Sequence, residues 1–159
     1  MLEKTGEKIK RKLESKPLHH IDTSIIVESE KTPDGKICAK YLQKLNYNYN
    51  GKLSLPSLGE LMIYLLLIKD SNKGHVFLDL LSDLRTVRKI GIYTPINLHE
   101  ISTKIKEMDT RIDLTDLDII ACAIEDGANN MVTLDKKLIG NKAIENEFRL
   151  RIVHPRELL

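Results

Sequence analysis

Asp116 and Asp135 are the first residues whose setting suggests chemistry. They lie within one stretch, Leu114 to Asp135, LTDLDIIACAIEDGANNMVTLD. Thr115 is the expected N-cap, with Asp116, Leu117 and Asp118 in the first helical turn, where carboxylates suit the free N–H groups. Ile119, Ile120, Ala123 and Ile124 make the helix apolar, and Gly127 supplies its C-terminal stop. Met131 to Leu134 then read as a short buried strand that delivers Asp135 at its carboxyl end. A helix running down and a strand running back place both acids on one edge of a sheet. In open α/β sheets that edge, outside the carboxyl ends of the strands, is where ligands bind.

Two further acids point to the same edge. Leu18 to Val27, LHHIDTSIIV, begins as a strand with Asp22 near its end, and Thr23 and Ser24 can turn the chain and cap the next helix. A charge in so apolar a run is expensive to bury without a partner. From this stretch alone, Asp22 is as readily a helix cap as a functional acid. Leu53 to Leu55 is a strand candidate, after which Pro56 and Ser57 open the helix SLGELMIYLLLIKD with Glu60 in its first turn. A lone Glu there is ordinary helix-dipole chemistry. Four carboxylates together are different, because like charges raise one another's pKa. A divalent cation resolves that repulsion, and oxygen donors suit Mg²⁺ or Mn²⁺. An ion so held can generate a nucleophile from water and stabilise charge on a phosphate.

The elements that must position these acids follow from the rest of the chain. Thr32 to Gly35, TPDG, reads as a turn, Ile37 to Leu45 as a helix, and NYNYNGK, residues 46–52, as a polar loop with an Asn-Gly turn. His75 to Lys89 reads as a helix burying Val76, Leu80, Leu81, Leu84 and Val87. Ile90 to Tyr93 reads as a strand, and Asn97 caps a helix to about Met108. A helix through Glu147 and a last strand, FRLRIVHP, with Arg149 and Arg151 on one face, end the chain. The order β-α-α-β-α-α-β-α-α-β-α-β fits a parallel sheet covered by helices. Adjacent His19 and His20 would face opposite sides of their strand in structural roles. Tyr47 and Tyr49 suit a solvated loop, with base stacking as the alternative.

The four motifs resemble those of the PIN-domain ribonuclease family, which includes the VapC toxins of prokaryotic toxin–antitoxin pairs. IDTSIIVES resembles the first motif through Asp22 and Ser24, and LPSLGELMIYLL the second through Glu60. LTDLDIIACAIEDGA resembles the third, with Asp116 seven residues before the second Ala of A-x-A, and MVTLDKKL the fourth through Thr133 and Asp135. The resemblance spans roughly residues 18–159. It implies a three-layer α/β/α fold with a parallel sheet of about five strands, Mg²⁺- or Mn²⁺-dependent cleavage of RNA, and dimerisation. Asp22, Asp116 and Asp135 would hold the metal, and Glu60 would orient water or complete the shell. Ser24 and Thr133 would be supporting hydroxyls, and Asp118 a supplement to Asp116. Asp113 reads as a solvated loop acid. Lys137 stands where many relatives carry another acid, which adds a cation that can meet phosphate. The implied partners are an RNA substrate, an antitoxin protein and a second copy of the chain.

Composition sets the outer bounds. At 159 residues with 42% hydrophobic and 30% charged residues, the chain has the make-up of an ordinary globular domain. It divides into a charged helical extension, residues 1–17, and a PIN-like domain, residues 18–159. The longest apolar run, Leu61 to Ile68, is too short to cross a membrane, and residues 1–16 lack the apolar centre of a secretory signal. Cys38 and Cys122 read as buried free thiols in a reducing cytoplasm. Asp116-Leu117-Asp118 mimics the D-x-D of haloacid-dehalogenase-like phosphatases, but KEMDTRID before it is no apolar strand. A receiver domain would need adjacent acids after its first strand. The chief alternative to a nuclease is a catalytically weak PIN-like module that binds RNA or protein.

Overall fold

The computed structural model describes residues 16–28 and 31–159. All but the last two residues of the charged extension expected at 1–17 fall outside them. The strands are β1 (Leu18–Ile21), β2 (Asn50–Ser54), β3 (Gly91–Tyr93), β4 (Asn130–Val132) and β5 (Arg151–Val153). The helices are α1 (Thr23–Val27), α2 (Pro33–Gln43), α3 (Leu55–Leu67), α4 (Ser71–Thr86), α5 (His99–Met108), α6 (Leu114–Glu125) and α7 (Lys142–Phe148). A 3₁₀ turn, Pro155–Leu158, closes the chain. The strands pair in the order β3-β2-β1-β4-β5, and every pairing is parallel. Parallel neighbours require crossovers, and helices between the strands supply them, in pairs except for the single α7 between β4 and β5.

That order creates one special place. From β1 the chain builds outward through β2 and β3, then returns across the sheet to β4 and builds the other way. The reversal falls between β1 and β4, so a crevice opens beyond their carboxyl ends. Ile21 pairs with Val132, and the Asp22 N–H donates to the Val132 carbonyl at 2.9 Å. Asp22 and Thr133 are therefore the first residues past the paired ladder, side by side at the crevice.

Alternation along the strands divides the core into two layers. Val132 and Ile21 face one cluster with Tyr41, Leu61 and Leu84. Met131, beside Val132 in sequence, faces the other with Ile105, Ile120 and Ile144. Each fully buried aliphatic contributes roughly 1.5–3 kcal/mol. The result is the expected three-layer α/β/α arrangement. His19 and His20 follow the same alternation. His19 stacks on Tyr49 with ring centroids 4.2 Å apart, and its Nδ1 bonds the Tyr41 hydroxyl at 2.8 Å. The His20 ring nitrogen Nε2 meets Asp126 at 2.8 Å on the other side. Cys38 and Cys122 are buried free thiols, as expected, and burial pushes each up to about 12.

Several local expectations give way to packing. TPDG is the start of α2, with Thr32 as N-cap accepting the Gly35 N–H at 2.9 Å. Asn50-Gly51 lies inside β2 and makes no turn. Gly51 is there because a Cβ would collide with the side chains of Leu45 and Ile21. The chain reverses earlier, at Asn46, whose φ of 72° is left-handed. Tyr49 is consequently a core residue, while Tyr47 is exposed. Helix α4 begins at Ser71 because Asp70 accepts the Asn72 and Lys73 N–H groups. Its buried residues are Phe77 and Leu84, and Val76 and Val87 are exposed. Arg149 terminates α7 at a left-handed φ of 54° and shares no strand face with Arg151.

Candidate active site

Asp22 occupies the N-cap position of α1, but its side chain caps nothing. Its Oδ2 accepts from Ser24 Oγ at 2.7 Å and from Thr133 Oγ1 at 2.8 Å. Each hydroxyl spends its single proton on this oxygen and takes a backbone N–H on its own lone pair. Leu134 N–H donates to Ser24 at 3.1 Å, and Asp135 N–H donates to Thr133 at 3.1 Å. The buried carboxylate is thus fixed by residues from β1, α1 and the end of β4. The Asp22 side chain makes no bond to the α1 N–H groups, so it does not act as a helix cap.

Asp116 lies in the first turn of α6, as expected, but the N-cap is Asp113, not Thr115. Asp113 Oδ1 accepts the Asp116 N–H at 2.9 Å. Asp113 is therefore no idle loop acid. The Asp116 carboxyl is pushed up to about 7, first by partial burial, then by the charges of Asp113, Asp22 and Asp135. Asp22, Asp113 and Asp135 thus lie within electrostatic reach of Asp116, and Asp113 is the contributor that sequence reasoning left out. The signal was present: Asp113 is as good a capping residue as Thr115, and one turn-closing bond decides between them.

Glu60 sits in the second turn of α3, since the helix starts at Leu55 under a Ser54 cap. Its carboxyl is also raised, first by burial and then by Asp22 and Asp113, against a hydrogen bond from Thr23. Thr23 has a second acceptor, the Ser57 carbonyl at 3.3 Å. With one proton to give, the charged acceptor is the stronger claim. Asp118 is not brought in. It is exposed, and its charge acts instead on Cys122 one turn further along.

Asp113, Asp116 and Asp135 line a cleft of about 380 Å³ together with Asp109, Arg111 and Lys137. The Lys137 N–H donates to Asp135 Oδ1 at 2.9 Å, fixing the turn after β4. Among the described residues, no three His, Cys, Asp or Glu side chains are gathered closely enough to hold a metal ion as they stand. All the acids of the set offer carboxylate oxygens, the donor type that hard divalent cations take, and Asp116 and Glu60 are raised first by burial and then by neighbouring acids.

The architecture is that of a PIN-like α/β/α domain. The chain matches no protein family at the level of sequence, and no curated protein. In structure it is similar to a chain of VapBC2 from Rickettsia felis bound to a DNA fragment from its promoter. That likeness has a TM-score of 0.62 at 21% identity, covering 86% of this chain and 98% of that one. FitAcB from Neisseria gonorrhoeae gives a TM-score of 0.60 at 18% identity, covering 87% and 98%. VapBC-1 from nontypeable Haemophilus influenzae gives 0.60 at 19%, covering 87% and 98%. At these identities the likeness is one of fold.

Proposed function

We propose that the protein is a metal-dependent endoribonuclease and that its biological role is that of the toxin in a toxin–antitoxin pair. The observation that carries this reading is the crevice between β1 and β4. There Asp22 is buried and held by two hydroxyls, and burial together with the charges of Asp113, Asp22 and Asp135 pushes the Asp116 carboxyl up to about 7. Bound there, Mg²⁺ or Mn²⁺ would offset the negative charge of the acids and would supply Lewis acidity for phosphodiester hydrolysis. Asp22, Asp116 and Asp135 would hold it, with Glu60 aligning the water. Binding would have to draw these carboxylates together. Ser24 and Thr133 keep Asp22 from turning away, and Lys137 is a cation for the substrate backbone.

A protein partner is supported by the outer face of α3. Ile63, Leu66 and Leu67 are well exposed there, with Leu66 at 81%, and Val76 of α4 is exposed too. A run of bare aliphatics on neighbouring helices marks an interaction surface, suited to an antitoxin or to a second copy. No described helix is long and apolar enough to cross a membrane. The separation of the carboxylates favours one second reading, a PIN-like binding module without catalysis.

Cleavage of mixed single-stranded and structured RNA with Mn²⁺, Mg²⁺ or EDTA separates the two. The nuclease reading expects metal-dependent cleavage lost in Asp22→Asn and Asp116→Asn. Cleavage surviving both substitutions, or RNA binding with no cleavage in either metal, would rule it out.

A further inference from the structure

Part of the cleft lining comes from a short loop, residues 109–113, between α5 and α6. It is held with unusual completeness. Lys106 Nζ donates to the carbonyls of Thr110 at 3.0 Å and Ile112 at 2.8 Å. Asp109 accepts two parallel bonds from Arg111, Nε at 3.0 Å and a terminal nitrogen at 2.9 Å. Its Oδ2 also accepts from Asn141 Nδ2 at 3.2 Å, and Asn141 caps α7. Asp109 thus ties the end of α5 to the start of α7 and sets the Arg111 guanidinium between them. The two side chains differ sharply in exposure: Asp109 is 10% exposed and Arg111 is 85% exposed.

A solvent-facing ion pair contributes little to stability, so the anchoring of Arg111 calls for another explanation. A guanidinium carries five N–H donors in a plane, and Asp109 engages one edge. The remaining donors keep the fork geometry that fits phosphate oxygens. Arg111 lines the same cleft as Asp116, Asp135 and Lys137.

We propose that Arg111 is a substrate-binding residue that grips a backbone phosphate of single-stranded RNA flanking the acidic crevice, and that Asp109 is its positioning residue. The cation draws the polyanion to a site whose own acids would repel it, and fixes which linkage lies over them. The inference rests on the cleft being an RNA site, and its test is independent of turnover.

The experiment is fluorescence anisotropy of labelled single-stranded oligoribonucleotides with EDTA present, across a salt series. Wild type is compared with Arg111→Ala, Arg111→Lys, Asp109→Asn and Arg85→Ala, an exposed control on α4. Arg111→Ala should weaken binding about 3- to 10-fold and lower the salt slope by about 0.7, the share of one lost phosphate contact on a single strand. Arg111→Lys should restore the slope but only part of the affinity, Asp109→Asn should fall between, and Arg85→Ala should match wild type. Equal affinity and slope in Arg111→Ala and wild type, or no RNA binding by wild type, would overturn the proposal. Arg111-dependent binding without cleavage would remove the nuclease reading and leave this inference standing. Cleavage with a KM indifferent to Arg111→Ala would do the reverse.

Discussion

The two ends of α6 carry acids in opposite circumstances. Asp116 is in its first turn and Asp126 is its C-cap, about 15 Å away along the axis. Asp126 is at the end where the helix dipole disfavours a negative charge, yet it is fully partnered. His20 Nε2 donates to it at 2.8 Å, and Lys52 Nζ approaches it at 2.9 Å. His20 is held below its ordinary pKa, mainly by burial, so it is a neutral donor to that carboxylate. Asp116 is at the end the dipole favours, yet burial and the charges of Asp113, Asp22 and Asp135 push its carboxyl up to about 7. The same helix therefore ends in a compensated acid and begins in an uncompensated one. The first arrangement stabilises the fold. The second costs stability.

The comparison breaks most visibly at the compensated end. Asp126→Ala leaves a buried ring N–H and an ammonium without their acceptor, which costs about 2–4 kcal/mol. At roughly 2–4 °C per kcal/mol, the melting temperature should fall by about 5–15 °C in a thermal scan. Activity per folded molecule should hold, because the cleft is remote. A melting temperature within a degree of wild type would show that the His20 contact is not what compensates Asp126.

At the uncompensated end the sign reverses. Asp116 titrates near 7 in the fold and at 3.8 in an unperturbed chain, so between those values the folded protein keeps a proton that the unfolded chain has released. Raising the pH through that window therefore erodes stability, and the full cost is present above about pH 7. Asp116→Asn should remove it. In metal-free buffer the variant should be more stable than wild type by about 1–2 kcal/mol at pH 7.5, after allowance for solvent screening. The gain should vanish near pH 4. Melting curves of both proteins from pH 4 to 8 check this, and parallel curves would contradict it.

Much of this contrast was legible in the sequence. Asp22, Asp116 and Asp135 stand where an apolar pattern breaks, and a parallel sheet converts those breaks into one edge. The element order was readable for the same reason. What escaped was decided by contacts distant in sequence. Gly51 imitates a turn, yet it is glycine because Leu45 and Ile21 press on its backbone. Tyr49 seemed a loop residue until His19 and Tyr41 stacked around it. Asp113 and Thr115 compete as caps, and only the bond to the Asp116 N–H chooses. The charge balance of Asp126 depends on His20 and Lys52, which sit on other strands and carry no local mark of the pairing.

We infer that the acids at the head of α6 bind a divalent cation. The most direct measurement is the melting temperature at pH 7.5 during a Mn²⁺ titration of wild type and Asp116→Asn. Wild type should start below the variant and rise with Mn²⁺, by about 2.7 kcal/mol of added stability at a hundredfold excess over the dissociation constant. The variant should stay nearly flat, so the two curves cross. A wild-type curve indifferent to Mn²⁺, or an equal rise in both proteins, would contradict the account.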